Sequence, residues 1–298
     1  MDYVSLADFA QTATDASSRS PEWAIAAPLP LDQLGLRDRL EQVLDTVTAL
    51  QRADWLDDGV YIGPNAMEDT YRELLACARI LGVAVPPAIA AGTTMSRQNA
   101  YGTDSRSFLY VSTFMLSGTT ASTQRFMLGR LLGKIAARQV TATTLYGVLV
   151  DQNGLRSVAR RALGPMLEVV MAPLSLGVRL ALSRWHRTAE LSADRAGLLC
   201  CQDLDSAGLA LLKGTLGVNP KISHEAYLQQ LARSTERQSP GRWTELLSDT
   251  PWTHKRLVAL QTFERSAMYA RLTGREPAPD ALTDEELAER TTQLLGVS

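Results

Sequence analysis

The sequence predicts a mainly α, α+β protein: a helical domain with a small β-sheet, preceded by an N-terminal helical extension. Three observations carry this. Apolar residues recur at three- and four-residue spacing over most of the chain, the signature of amphipathic helices. Only two short stretches, 88–91 and 108–114, read as strands. The chain has 298 residues and is 45% hydrophobic, enough for one large core with an added segment.

In order along the chain, residues up to about 30 end in a Ser- and Pro-containing lead-in. An amphipathic helix follows over about 32–52, with Leu36, Leu40, Val43, Leu44, Val47 and Leu50 on one face. Gly63-Pro64-Asn65 breaks the chain and opens a second helix that runs to Gly82, with Pro86-Pro87 beyond it. Of the two strands, the second alternates Phe108, Tyr110 and Ser112 against Leu109, Val111 and Thr113. Asn99 to Gly102 is read as the turn region between them. From Ser122 nearly everything reads helical, with strong segments at 123–146 and 185–201. Residues 275–280 form a linker, and Thr283 to Glu286 is a capping box for a last short helix. The expected organisation is an extension over 1–60, a main domain over 61–274 and a C-terminal linker and helix over 275–298.

Composition excludes several function classes. A net charge of −2 gives no electrostatic pull toward nucleic acid or an anionic membrane. The first fifteen residues lack a basic n-region and an apolar core, so no signal peptide is expected. The most apolar stretch, 162–185, carries Glu168, Arg179, Pro165 and Pro173, and reads as a buried hairpin or core helix, not a membrane span. Cys77 and the adjacent Cys200 and Cys201 read as reduced core thiols. The expected location is cytoplasmic. Tyr101, Phe108 and Tyr110 read as core or groove lining, not as base-stacking platforms. Gly102 and Gly118 read as turn glycines, and no phosphate loop or nucleophile elbow is present.

The segment 123–146 carries three stripes. Leu128, Leu131, Leu132 and Ile135 are apolar; Arg130, Lys134 and Arg138 are basic; Gly129, Gly133 and Ala137 are small. Two interior glycines cost about 1 kcal/mol each relative to Ala, so close approach of another helix is expected to offset them.

The run Asn99-Ala-Tyr, then FLYVSTFML, then RFMLGRLLGKIAARQVTATTL resembles the core of the HtpX-type zinc metallopeptidase family, of gluzincin fold. There a strand leads into a helix bearing H-E-x-x-H, commonly A-H-E-L-G-H-I. RTAELSADRAGLL, starting at Arg187, resembles the family's second metal helix, E-x-x-A-D-R-A-G. DTPWTHKRLVAL, starting at Asp249, resembles its S-H-P-x-x-x-x-R-x-x-A-L segment, with Thr250 in place of the His. In the family the two imidazoles at i and i+4 hold zinc and the Glu is the general base. The resemblance sets Gly129, Arg130 and Gly133 at those positions, Glu190 at the third ligand and Asp194 at an orienting carboxylate. Such a helix offers neither ligands nor base, so the expected cofactor is none and the catalytic residues none.

The resemblance then implies a catalytically inactive homologue that binds a protein or peptide, with Phe108, Leu109, Tyr110, Val111 and Ser112 as the edge strand for an added peptide. Two other readings stay open: an assembly subunit using its outer surfaces, and residual peptidase activity with a metal moved to His186, Glu190 and Asp194. Arg130 has two readings as well. It either pairs with Glu190 across the vacated site, in competition with Arg187 and Arg195, or lies solvated in the stripe with Lys134 and Arg138. The two motif helices are expected to pack side by side, with the small stripe against Glu190, Asp194 and Gly197.

Overall fold

A computed structural model describes residues 20–25, 37–92, 98–149, 155–165, 176–217, 219, 222–223, 225–227, 229 and 253–295. It is helix-dominated with a small mixed sheet, as the periodicity predicts. In chain order the described elements are α1 (Arg37–Asp57), β1 (Gly59–Tyr61), α2 (Glu68–Leu81), β2 (Ala88–Ala91), β3 (Asn99–Gly102), β4 (Ser107–Ser112), α3 (Thr113–Leu116), α4 (Ala121–Ala136), α5 (Val140–Leu149), α6 (Leu155–Leu163), α7 (Leu176–Cys201), α8 (Leu204–Leu216), α9 (Thr253–Glu264), α10 (Ala267–Leu272) and α11 (Asp284–Leu294).

The sheet has four strands in the order β1-β2-β4-β3, two more than expected. Asn99 to Gly102 is a strand, antiparallel to β4, with Asn99 opposite Tyr110 and Tyr101 opposite Phe108. β4 also pairs in parallel with β2, and β2 pairs antiparallel with β1. The alternation seen in β4 divides two cores. Leu109 and Val111 join Ala88, Ala90 and Ala100 on the face that meets Leu74 of α2 and Phe126, Leu131 and Leu132 of α4. Phe108 and Tyr110 join Ile89, Ala91 and Tyr101 on the face covered by Leu40, Leu44 and Val47 of α1 and by Leu145 of α5. Tyr101, Phe108 and Tyr110 cluster around Trp55 and are buried, in keeping with core packing.

Two observations bear on the organisation. The expected border at residue 60 falls inside β1, and α1 supplies one wall of a core, so this helix is part of the body. The C-terminal helix α11 opens on the expected capping box, Thr283 with Glu286, and buries Leu287 in the same core as the sheet. Residues 26–36, where the first helix was expected to begin, lie outside the described residues. So does 166–175 of the apolar stretch 162–185; its C-terminal part is the start of α7. No described helix is long and apolar enough to cross a membrane.

The expected helix over 123–146 is two helices. Arg138 takes φ 53, and the Gln139 N–H turns back to the Lys134 carbonyl at 2.8 Å. Asp104, from the turn between β3 and β4, then caps α5 by accepting from the N–H groups of Val140 (2.8 Å) and Thr141 (3.4 Å). A cap supplied from a different element leaves no mark in local periodicity.

Candidate functional site

The helices α4 and α7 lie side by side, and their small residues set the distance. A Cβ added at Gly129 would stand 2.7 Å from Cys200 Sγ and 3.1 Å from Gly197 Cα; one added at Gly133 would stand 2.3 Å from Ala196 Cβ. Both are closer than packed carbons tolerate, so these positions admit only glycine at this spacing. The small stripe thus meets Ala193, Ala196, Gly197 and Cys200. Of the three residues expected opposite it, only Gly197 is there.

Glu190 and Asp194 face the basic stripe instead. Arg130 donates from Nη2 to Glu190 Oε2 and from Nε to Asp194 Oδ1, both at 2.6 Å. Lys134 donates from Nζ to Glu190 Oε1 at 2.5 Å and to Asn99 Oδ1 of β3 at 2.8 Å. Arg256 of α9 grips Asp194 with two bonds, Nε to Oδ2 at 2.8 Å and Nη2 to Oδ1 at 2.6 Å. The pairing of Arg130 with Glu190 is the arrangement present, and the solvated-stripe reading is overturned; Arg138 alone of that stripe is exposed. Arg195 goes elsewhere, to Thr291 Oγ1 at 2.8 Å and the Trp23 carbonyl.

The cluster is buried, with Lys134 at 3% and Asp194 at 1% side-chain exposure. Burial is the largest influence on Glu190 and acts to raise its pKa. The charges of Lys134 and Arg130, with His186 and Arg256 behind them, outweigh it and hold the carboxyl well below its ordinary range. For Lys134, burial outweighs the attraction of Glu190 and pulls the ammonium below its ordinary value. Arg256 is also pulled down by burial, but Asp194 and Glu190 more than compensate and raise it.

This geometry corrects the expected register of the motif. The two positions four residues apart that converge on Glu190 are Arg130 and Lys134, not Gly129 and Gly133, which face the wrong side of the helix. Moved by one residue, A-H-E-L-G-H-I lies against Gly129-Arg-Leu-Leu-Gly-Lys-Ile135, and the Leu, Gly and Ile now coincide. Lys134, Asn99 and Arg256 were not singled out as site residues from the sequence. Each had a signal: the i+4 step from Arg130, the Asn opening the quoted strand, and the Arg of the third motif segment. Thr250 of that segment lies outside the described residues.

The expected peptide-binding edge is also corrected. Phe108 to Ser112 lie in β4, which is flanked by β2 and β3 and has no free edge. The edge nearest the cluster is β3, whose residues are all buried, and α5 lies along it: the Gly102 N–H donates to Thr144 Oγ1 at 3.1 Å. Of the proposed relocated ligands, His186 Nε2 stands 3.8 Å from Glu190 Oε1, and its ring stacks on Tyr146 with centroids 4.1 Å apart. Asp194 is engaged by two arginines. Among the described residues no group of three or more His, Cys, Asp and Glu comes together in metal-ligating geometry. The three cysteines are free, Cys77 and Cys200 buried and Cys201 half-buried.

Comparison with curated proteins gives no match, and comparison with solved structures gives none. A family model described as Peptidase family M48 matches residues 67–264, two thirds of the chain, and spans β2, β3, β4, α4, α7 and Arg256 of α9. From the cluster-bearing helices to the segment that supplies Arg256, this chain belongs to peptidase family M48.

Proposed function

We propose that this chain is a non-catalytic member of its family, in which an ion-pair cluster stands where zinc would be held, and that it works by binding other proteins. The observation that carries this is the convergence of Arg130 and Lys134 on Glu190. Zinc needs lone pairs from imidazole, thiolate or carboxylate. Guanidinium and ammonium are donors with no lone pair to offer and repel a divalent cation. The donor set does not fit the metal. At the position of the general base stands Leu131, buried and apolar, which cannot accept a proton from water.

The covered β3 edge favours partners that use the outer surface over an extended peptide laid beside the site. An assembly or regulatory subunit fits this better than a client-binding groove. The test is protein purified without added metal, analysed for zinc and assayed on an unfolded protein substrate with and without a chelator. Substoichiometric zinc and no chelator-sensitive cleavage are expected. Stoichiometric, tightly held zinc overturns the reading. Affinity capture from the native host, with the chain recovered only as a free monomer, counts against the binding half.

A further inference from the structure

The ion-pair cluster is not balanced. Among the described residues, and with His186 counted neutral, three cations, Arg130, Lys134 and Arg256, face two carboxylates, Glu190 and Asp194, an excess of one positive charge. Both guanidinium groups are half used. Arg130 engages through Nε and Nη2, and Arg256 through the same two nitrogens; the Nη1 group of each has no partner among the described residues. The two groups are neighbours, because Asp194 Oδ1 accepts from both, at 2.6 Å each. They are also the outward part of the cluster. Arg130 and Arg256 keep 13% and 12% of their side-chain surface, against 3% for Lys134 and 1% for Asp194.

We propose that this arginine rim is a carboxylate-binding site, taking the C-terminal carboxylate or an acidic side chain of a protein partner on the free edges of Arg130 and Arg256. Planar forks match a planar two-oxygen anion, and such charge-assisted bonds are the strong ones. The excess is a single charge, so a monoanion neutralises it. A phosphate dianion brings a second negative charge that faces Glu190 and Asp194 uncompensated. Lys134 lies behind, already bonded to Glu190 and Asn99, and fixes Glu190 so that Arg130 stays oriented. The inference rests on the reading that no zinc occupies this site.

The experiment uses the full wild-type chain and follows the arginine Nε–Hε signals by NMR during titration. The probes are N-acetylglycine, its uncharged amide and inorganic phosphate. Saturable shifts at Arg130 and Arg256 with the carboxylate are expected, with binding about tenfold or more weaker for the amide and no tighter for phosphate. Absence of shifts at these two arginines, equal response to the amide, or tighter binding of phosphate overturns the proposal. Zinc analysis of the same sample separates the two readings. Zinc-loaded protein refutes the non-catalytic reading, whereas zinc-free protein blind to the carboxylate refutes the carboxylate site alone.

Discussion

The register of the site can be tested by rebuilding a metal site. In the Arg130→His/Lys134→His variant, two imidazoles stand four residues apart on the helix face that meets Glu190. Without metal the variant is destabilised, because Glu190 loses both of its close cationic partners and keeps, among the described residues, only Arg256 at 3.9 Å and His186 at 3.8 Å. Removing one partner of a buried ion pair costs about 3–5 kcal/mol. At about 2–4 °C per kcal/mol for a domain of this size, the melting temperature falls by roughly 10 °C. Zinc at a thousand times its Kd returns about 4 kcal/mol by mass action, so most of the loss is recovered. The assay is thermal unfolding by circular dichroism with and without zinc, joined to metal analysis after dialysis. The control is Gly129→His/Gly133→His, whose first side-chain atoms would stand 2.7 Å from Cys200 Sγ and 2.3 Å from Ala196 Cβ. That variant should be severely destabilised and unresponsive to zinc. A zinc-dependent recovery in the control, or none in the first variant, would refute the assignment of Arg130 and Lys134 to the ligand positions.

Stability should fall in acid through Glu190. Its folded pKa is depressed, so its contribution is fully present above the ordinary carboxylate value of 4.5 and is lost as pH falls below that toward the folded pKa; urea unfolding over that range should show a steeper loss in wild type than in Glu190→Gln. Gly133→Ala gains about 1 kcal/mol of helix propensity but drives a methyl into Ala196, and overpacking of about 1–3 kcal/mol makes it destabilising on balance. Adding Ala196→Gly should relieve the overpacking and recover stability in chemical denaturation despite about 1 kcal/mol of lost helix propensity, whereas a simple propensity effect would make the double variant less stable than the single one. Thr283→Ala removes the acceptor for the Glu286 N–H at 3.2 Å but keeps the Thr283 backbone N–H that donates to Glu286 Oε2, and should cost about 1 kcal/mol by the same assay.

Much of the fold is legible in the sequence because helices announce themselves by period. The strands β1 and β3 do not. Gly59-Val60-Tyr61 and Asn99-Ala-Tyr-Gly are three and four residues long and lack a β-branched run, and only pairing with β2 and β4 makes them strands. The break after α4 is hidden for a related reason, since Asp104 supplies the cap from a remote turn. The partner choice of Arg130 is legible once Glu190 and Asp194 are seen at one helix spacing. Its register is not. Gly129 and Gly133 repeat at four residues as faithfully as Arg130 and Lys134, so spacing cannot say which pair faces the second helix's carboxylates. The close approach at Ala196 and Cys200 decides it, a matter of side-chain volume across a helix interface.

The proposed replacement of metal by ion pairs has an electrostatic logic. Zinc between two neutral imidazoles brings two positive charges to a buried carboxylate; arginine and lysine at the same positions bring two as well. Glu190 is therefore satisfied in both arrangements, and the long side chains reach the volume that shorter imidazoles leave to the ion. A change to two apolar residues would have stranded Glu190 and, next to it, weakened the hold on Asp194, at several kcal/mol for each uncompensated charge. The fold around α4 and α7 can then persist without the ion, because the carboxylates of α7 remain bound to α4 and α9 by side chains in place of a metal. What that substitution removes is the open coordination position on which water activation depends. On the proposed reading, stability and catalysis, joined in a zinc centre, come apart at this site.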